Sequence, residues 1–153
     1  MRKHLLLTGL FLSLFLKLTA QQLLPVNEKA YADSLLNILQ SKQSDSVKAT
    51  ANYLLSDYWR SKDTVKSKTF LEQGKQLAEK SPELKALYFF YEGQYYFHRN
   101  QALAAKSFKK ATEMLAPFKS KECLQGLAAS WYNYGIMVRN EKGDDFIIDI
   151  LLN

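Results

Sequence analysis

The sequence predicts an all-α protein built from repeated helix pairs, and three observations support that prediction. A shift of 37 residues places residues of like size on one another, such as Ser56 on Gly93 and Leu71 on Phe108. Large apolar side chains recur at helical spacing through nearly everything after Pro25. No stretch alternates apolar and polar residues as a half-buried strand does. Because periods of 20–50 residues are typical of stacked supersecondary units, we expect an array of helix pairs.

Caps and turns set the predicted helix boundaries. Asn27 and Asp45 are the predicted N-caps of the first two helices. Ser81, Pro82 and Glu83 combine an N-cap, a proline at the first helical position and an acid in the first turn. The predicted helices span residues 27–42, 45–61, 64–80, 82–99, 101–116 and 123–140, and a last one begins at 145.

The first 20 residues have the pattern of a secretory signal peptide. A basic start, Arg2-Lys3-His4, precedes an apolar run over residues 5–16, and Ala20 ends the segment with a small residue. The run is shorter than the roughly 18–20 apolar residues that span a bilayer. We therefore expect residues 1–20 to be removed and the protein to be exported, to the periplasm or cell envelope; an uncleaved membrane anchor is the alternative. Residues 21–44 then form a linker and an N-terminal helix before an array over 45–153.

Composition argues against several functional classes. Three of the 21 basic residues lie in the leader, so 18 basic side chains face 15 acidic ones, and the acids are scattered among the lysines. Such a balance is typical of a solvated surface and predicts no nucleic-acid partner. His98 is the only histidine after the leader and Cys123 the only cysteine, so the sequence predicts no metal site and no cofactor. No nucleophile motif accompanies His98, and we expect no enzymatic activity.

The helix pairs resemble the tetratricopeptide repeat (TPR). One helix carries Phe89, Gly93 and Tyr96, and its partner carries Ala104 and Phe108, then Ala111 and, after the helix, Pro117, where that family places large, small and proline residues. The resemblance implies a right-handed solenoid of antiparallel pairs over about 45–80, 82–116 and 122–153, the last incomplete, giving about 2.5 repeats plus the N-terminal helix. The period departs from the family's 34 residues, being 37 and then 42 if Gly135 marks the third pair. Glu92 stands where the family has leucine.

The resemblance also implies a partner-binding groove on the concave face, lined by the first helix of each pair. Aromatic and arginine side chains are typical anchors of such surfaces. Aromatic residues surround the helix at 88–97, so several of them must belong to the core. By position, the implied groove residues are Tyr53, Asp57, Arg60, Phe90, Gln94, Phe97, His98, Tyr132, Ile136, Arg139 and Asn140.

Two functions remain open from the sequence. The first is a protein–protein interaction scaffold exported to the bacterial envelope, which binds a peptide or partner protein through its concave face. The second is the sensory or docking N-terminal segment of a longer signal-transduction protein, a histidine kinase or helix-turn-helix regulator, truncated here. Residues 146–152 would form a helix that is apolar on nearly every side, and such a surface needs to be buried against another segment. We therefore expect the sequence to be a fragment of a longer array. A membrane enters only through an uncleaved leader or a missing C-terminal region.

Overall fold

The computed structural model describes residues 27–142, with side chains through 139. These residues form six α-helices and one 3₁₀-helix, with no strand among them, which confirms the all-α prediction. The leader at 1–20 and the helix expected from 145 lie outside the described residues. The α-helices are α1 Glu28–Gln40, α2 Asp45–Trp59, α3 Thr64–Leu77, α4 Pro82–Tyr96, α5 Gln101–Leu115 and α6 Lys121–Lys142, and the 3₁₀-helix Ala78–Lys80 follows α3.

The chain divides into two compact units, Met1–Tyr31 and Ala32–Asn153. In the described part of the first, the Ala30 amide donates to Asn27 Oδ1 at 3.0 Å, which confirms Asn27 as the N-cap of α1. In the second unit, the remainder of α1 places Ala32 and Leu35 in one apolar cluster with residues of α2.

Side-chain caps begin the four helices from α2 to α5. Ser44 caps α2 by accepting from the amide of Val47 at 3.4 Å, so the prediction of Asp45 as the cap is wrong by one residue. Asp45 lies instead in the first turn, where its charge favours the helix N-terminus. Ser81 caps α4, with proline next in the chain, as the sequence predicts. The caps of α3 and α5 are Asp63 and Asn100.

The 37-residue repeat is present in the helix boundaries. A shift of that length carries α2 onto α4 from first to last residue and carries the start of α3 onto the start of α5. It also carries the caps Ser44 onto Ser81 and Asp63 onto Asn100. Burial follows the same shift, since Ala49 and its equivalent in α4 are both fully buried. The repeat is therefore one of structure as well as of residue size.

Within the first pair, α2 and α3 run antiparallel and approach closely. The Ser67 hydroxyl at the start of α3 donates to the Ser56 carbonyl near the end of α2 at 2.8 Å. Toward the other end, a Cβ added at Gly74 would lie 2.7 Å from the ring of Tyr53. Only glycine leaves room for that ring, because real side-chain contacts do not approach so closely.

The second pair repeats this close approach with different side chains. A Cβ added at Gly93 of α4 would lie 2.6 Å from the ring of Phe108 in α5. Phe108 is fully buried and also forms a cluster with Ala104 and Met137, which joins α5 to α6. The small residue and the large one therefore fit each other across the two helices.

The first helices of successive helix pairs lie side by side. Helix α4 packs against both α2 and α6, and α5 also packs against α6. Contacts of Arg60 at the end of α2 with Gln94 late in α4 show that these two helices run in the same direction. The side of the molecule that carries α2, α4 and α6 therefore presents three neighbouring helices.

Helix α6, the first helix of the third predicted pair, keeps the 37-residue register and not the 42-residue one predicted through Gly135. Ser130 lies 37 residues after Gly93 and is fully buried, as is Cys123 at 37 residues after Ala86. Gly135 is only half-buried. The choice of Gly135 is therefore wrong, because a serine rather than a glycine occupies the small-residue position.

Glu92 stands at an apolar position of the pattern and is held by hydrogen bonds. Its carboxylate accepts from the Tyr88 hydroxyl at 2.7 Å and from the Ser107 hydroxyl at 2.8 Å. Burial, together with the hydrogen bond to Glu92, raises the pKa of Tyr88 above the usual range of tyrosine. The equivalent residue in α2 is Leu55, which is fully buried. A satisfied carboxylate in α4 thus replaces an apolar contact in α2.

Candidate functional site

A groove of about 830 Å³ crosses the neighbouring faces of α2, α4 and α6. We call it the α2–α4–α6 groove. It follows the first halves of the three helices and includes residues just before α4 and α6. Its lining residues are Ser46, Val47, Thr50, Tyr53, Leu54, Ser81, Glu83, Leu84, Leu87, Phe90, Tyr91, Ser120, Glu122, Gln125, Gly126 and Ala129.

Helical spacing places these side chains on one face of each helix. In α4 the lining residues include Leu84, Leu87 and Tyr91, which recur at three and four positions. In α6 the same spacing gives Glu122, Gln125 and then Ala129. Residues three and four apart are neighbours on a helix surface, so each helix contributes one stripe to the groove.

Tyr53 forms the floor of the groove and is held on two sides. Its ring stacks on Tyr91 with centroids 5.1 Å apart and planes 19° apart, and its hydroxyl donates to the Leu84 carbonyl at 3.1 Å. The side chain is fully buried. Burial, followed by the charge interaction with Tyr91, raises the pKa of Tyr53 above the usual range of tyrosine. The phenol therefore stays neutral and joins α2 to α4.

A glycine sets the distance between α6 and α4. A Cβ at Gly126 would lie 3.0 Å from Leu87 Cδ2 and 3.3 Å from Leu115 Cδ1. Contacts this short leave no room for a larger side chain unless the leucines move. Gly126 thus keeps α6 close to α4 while leaving the groove open above it.

The groove combines apolar walls with a few polar groups. Leu54, Leu84, Leu87 and Phe90 are among the apolar side chains, and the hydroxyls belong to serines, Thr50 and the two tyrosines of the lining. Binding sites in proteins are typically concave, mostly apolar and marked by a small number of polar groups. This composition suits the capture of an apolar segment whose backbone finds hydrogen-bond partners.

Three of the groove residues predicted by position, Asp57, Arg60 and Gln94, meet at the C-terminal ends of α2 and α4. The Arg60 guanidinium donates to Gln94 Oε1 and to the Gln94 carbonyl, the latter at 3.5 Å, and lies 3.5 Å from Asp57 Oδ1. Arg99 donates to the Arg60 carbonyl and to the Tyr95 carbonyl. Cations near helix C-termini interact favourably with the terminal carbonyls. This cluster ties the two helix ends together, outside the α2–α4–α6 groove.

Only Tyr53 and Phe90 of the predicted set line the groove, and the other predicted residues are distributed elsewhere. Phe97 and Ile136 are half-buried in the α4–α5–α6 core, where the Phe97 ring lies 6.2 Å from that of Phe108. His98 is exposed with its ring edge against Phe97. Tyr132, at 72% exposure, and Arg139 lie at the surface of α6. The side chain of Asn140 is outside the described residues.

Sequence reasoning missed most of the groove because it selected the second halves of the helices. Thr50, Leu54 and Leu87 lie one to two turns before the predicted positions. In α6 the register error added a further displacement of five residues, from Ser130 to Gly135. Continuing the 37-residue shift from Phe90 points to Leu127, next to the lining residue Gly126. That unbroken shift was the signal available in the sequence.

A second, smaller cavity of about 520 Å³ lies between α4 and α5. Its polar lining mixes Lys106, Lys109 and Lys110 with Glu92 and Glu113. Lys110 Nζ lies 3.7 Å from Glu113 Oε2, and Glu92 is engaged by its two hydroxyl donors. Three lysines against two glutamates leave one net positive charge there, which gives this cavity little preference for a charged ligand.

Across residues 27–142 no group of three or more histidine, cysteine, aspartate or glutamate side chains is placed to hold a metal ion. No helix within the same range combines the length and apolarity that crossing a membrane requires. No protein-family model, curated protein or solved structure matches this chain.

Proposed function

We propose that the protein is a peptide- or protein-binding module that captures its partner in the α2–α4–α6 groove. The observation that carries this proposal is the groove itself, an apolar channel shared by three helices that are not consecutive in the chain. A surface shared by repeated units is how helical arrays commonly build extended binding sites. The partner lies along the groove, with apolar side chains against Leu54, Leu87 and Phe90.

The resemblance of the helix pairs to tetratricopeptide repeats supports the same proposal. Helices α2 and α4 repeat at 37 residues with matching bounds, and small residues at Ser56, Gly93 and Ser130 are buried at equivalent positions. We propose that the pairs wind as a right-handed solenoid whose concave side is the groove. The first helices of the pairs line it, as that resemblance implies.

The width of the groove fits a short peptide. Packed helices lie about 8–10 Å apart, so the span across the three helices is about 20 Å. An extended chain advances about 3.3 Å per residue, and about six residues cover that span. The Thr50 hydroxyl donates to the Ser46 carbonyl and the Ser81 hydroxyl accepts from the Leu84 amide, so the first can still accept from the backbone of such a peptide and the second can still donate to it.

We further propose that the module acts outside the cytoplasm of a bacterial cell. The support is the leader pattern at residues 1–20, with a basic start, a 12-residue apolar run and a small residue at the cleavage position. N-terminal sequencing of the chain recovered from a periplasmic fraction tests this. A start at Gln21 is expected, and recovery of the intact chain from the cytoplasm would contradict it.

Selection from a displayed random-peptide library against the full chain tests the groove. Ala129→Trp places a large ring in the groove and should remove enrichment of the selected peptides. Ala128→Trp is the matched control, because Ala128 is exposed on the same helix and outside the groove lining. Circular dichroism should show both variants folded. Equal enrichment by both variants would contradict the proposed site.

A further inference from the structure

We propose that the groove selects a peptide in which a lysine or arginine stands close to an apolar stretch. This inference rests on the proposed function and adds the chemical class of the partner. Its basis is the charge of the lining. Among the described residues that line the groove, the only side chains charged at neutral pH are Glu83 and Glu122.

These two carboxylates have no cation within ion-pair distance among the described residues. Four other carboxylates have a lysine or arginine within ion-pair distance, those of Asp57, Asp63, Glu72 and Glu113. Glu83 is half-buried, so its charge is only partly screened by solvent. The groove therefore carries negative charge that a bound cation would balance.

The two carboxylates converge on one region. Glu83 lies in the first turn of α4 and Glu122 in the first turn of α6. One turn further along each helix, Gly126 packs against Leu87, and both carboxylates line the groove, so they lie at the same end of it. That end is formed by the starts of α4 and α6.

The helix termini do not cancel this charge. A helix N-terminus is equivalent to about half a positive charge, so α4 and α6 together contribute about one. Glu83 and Glu122 contribute one negative charge each, so the groove lining at that end is net negative; Lys85 and Lys121 are close to them in the chain but are not part of the lining. A carboxylate on the partner is disfavoured there, and an ammonium or guanidinium is favoured.

The apolar part of the partner lies deeper in the groove. Glu83 and Phe90 are seven residues apart in α4, a distance of about 10 Å along the helix. The preferred partner therefore presents a cation and a large apolar side chain about 10 Å apart.

Two fluorescent octapeptides test the inference, a leucine- and phenylalanine-rich peptide with a lysine at each end and the same peptide with glutamates. Fluorescence anisotropy with the full chain measures each dissociation constant at about 20 and about 150 mM salt. We expect the lysine peptide to bind roughly tenfold more tightly at low salt, with a smaller ratio at high salt.

The double variant Glu83→Gln/Glu122→Gln should bring the two affinities within about twofold of each other. The control Glu79→Gln/Glu113→Gln removes equal charge from exposed positions outside the groove lining and should keep the preference. Equal binding of both peptides by the unmodified chain, or a preference for glutamate, would overturn the charge inference and leave the proposed function standing. Failure of both peptides to bind would overturn the two together.

Discussion

The two complete helix pairs have matching bounds and different interiors. In the second pair, the small residue Gly93 of α4 lies against the large residue Phe108 of α5. In the first pair, the equivalent residues are Ser56 of α2, which faces α3, and the fully buried Leu71 of α3. Where one helix gains volume, its partner loses it. The comparison shows that the pair is defined by summed volume at the contact, not by the identity of either residue.

The same exchange occurs toward the other end of each pair. Tyr53 in the first pair lies against Gly74, and the equivalent positions of the second pair hold Phe90 and Ala111. The tyrosine carries a hydroxyl that needs a partner and finds the Leu84 carbonyl. The phenylalanine has no such requirement. The first pair is therefore joined to the next unit by a hydrogen bond that Phe90 cannot supply.

The largest expected effect comes from emptying the core of the second pair. Phe108→Ala removes a fully buried ring that joins α5 to α4 and α6 and should cost about 4 kcal/mol of unfolding free energy. Leu71→Ala in the first pair should cost about 3 kcal/mol because less volume is lost. Urea unfolding of both variants measures the difference. A smaller loss for Phe108→Ala than for Leu71→Ala would contradict the comparison.

A swap of interiors tests the volume rule itself. Gly93→Ser should cost about 2 kcal/mol, because the added atoms meet the Phe108 ring. Adding Phe108→Leu reproduces the combination found in the first pair and should recover about 1 kcal/mol of that loss. The double-mutant cycle gives the coupling free energy. Additive losses would mean that the two residues do not share one space.

Making the first pair resemble the second gives a smaller effect. Tyr53→Phe removes the hydroxyl that donates to the Leu84 carbonyl and should cost about 1 kcal/mol. Thermal or urea unfolding at neutral pH measures this. Phe90→Leu, a change without a hydroxyl, serves as a control for packing alone. A neutral result for Tyr53→Phe would remove the hydrogen bond from the explanation.

Alkaline pH tests the same tyrosine by another route. The pKa values of Tyr53 and Tyr88 are raised in the folded state, so above about pH 10 the unfolded chain loses protons that the folded chain retains. Stability should be unaffected by these groups below that pH and fall as the pH rises further. The free energy of unfolding should fall by at most about 1.4 kcal/mol per pH unit for each tyrosine, and Tyr53→Phe should make this fall less steep. An unchanged slope in that variant would contradict the burial argument.

The smallest expected effect concerns a surface ion pair that only the first pair has. Lys68 and Glu72 are 3.0 Å apart on α3, and both are about 40% exposed. The equivalent positions of α5 are Ala105 and Lys109. Glu72→Gln should change the unfolding free energy by about 0.5 kcal/mol or less and should lose even that at high salt. A loss of several kcal/mol would show that the pair is not an ordinary surface interaction.

Much of the fold follows from local signals in the sequence. Capping residues such as Ser81 and Asn27 act on amides two or three positions away, so the chain itself contains the information. The 37-residue shift likewise predicts the boundaries of α4 from those of α2. The prediction for the third helix pair is wrong because it takes Gly135 as the small residue, whereas the fully buried Ser130 occupies that position.

The candidate site was less accessible to sequence reasoning. Which half of a helix faces an open groove depends on packing between helices, such as the approach of Gly126 to Leu87. The Arg60–Gln94 contact joins residues 34 positions apart, and no local pattern indicates it. Arg60 and Gln94, predicted as binding residues, therefore hold α2 and α4 together.

Hydrogen exchange of the full chain, with and without a peptide selected by display, tests most directly whether the groove is the binding site. Slowed exchange is expected at 46–54, 83–91 and 122–129, the segments that carry the groove lining. These segments come from three different helices and should respond together. Protection confined to α3 and α5, with those three segments unchanged, would contradict the proposed site.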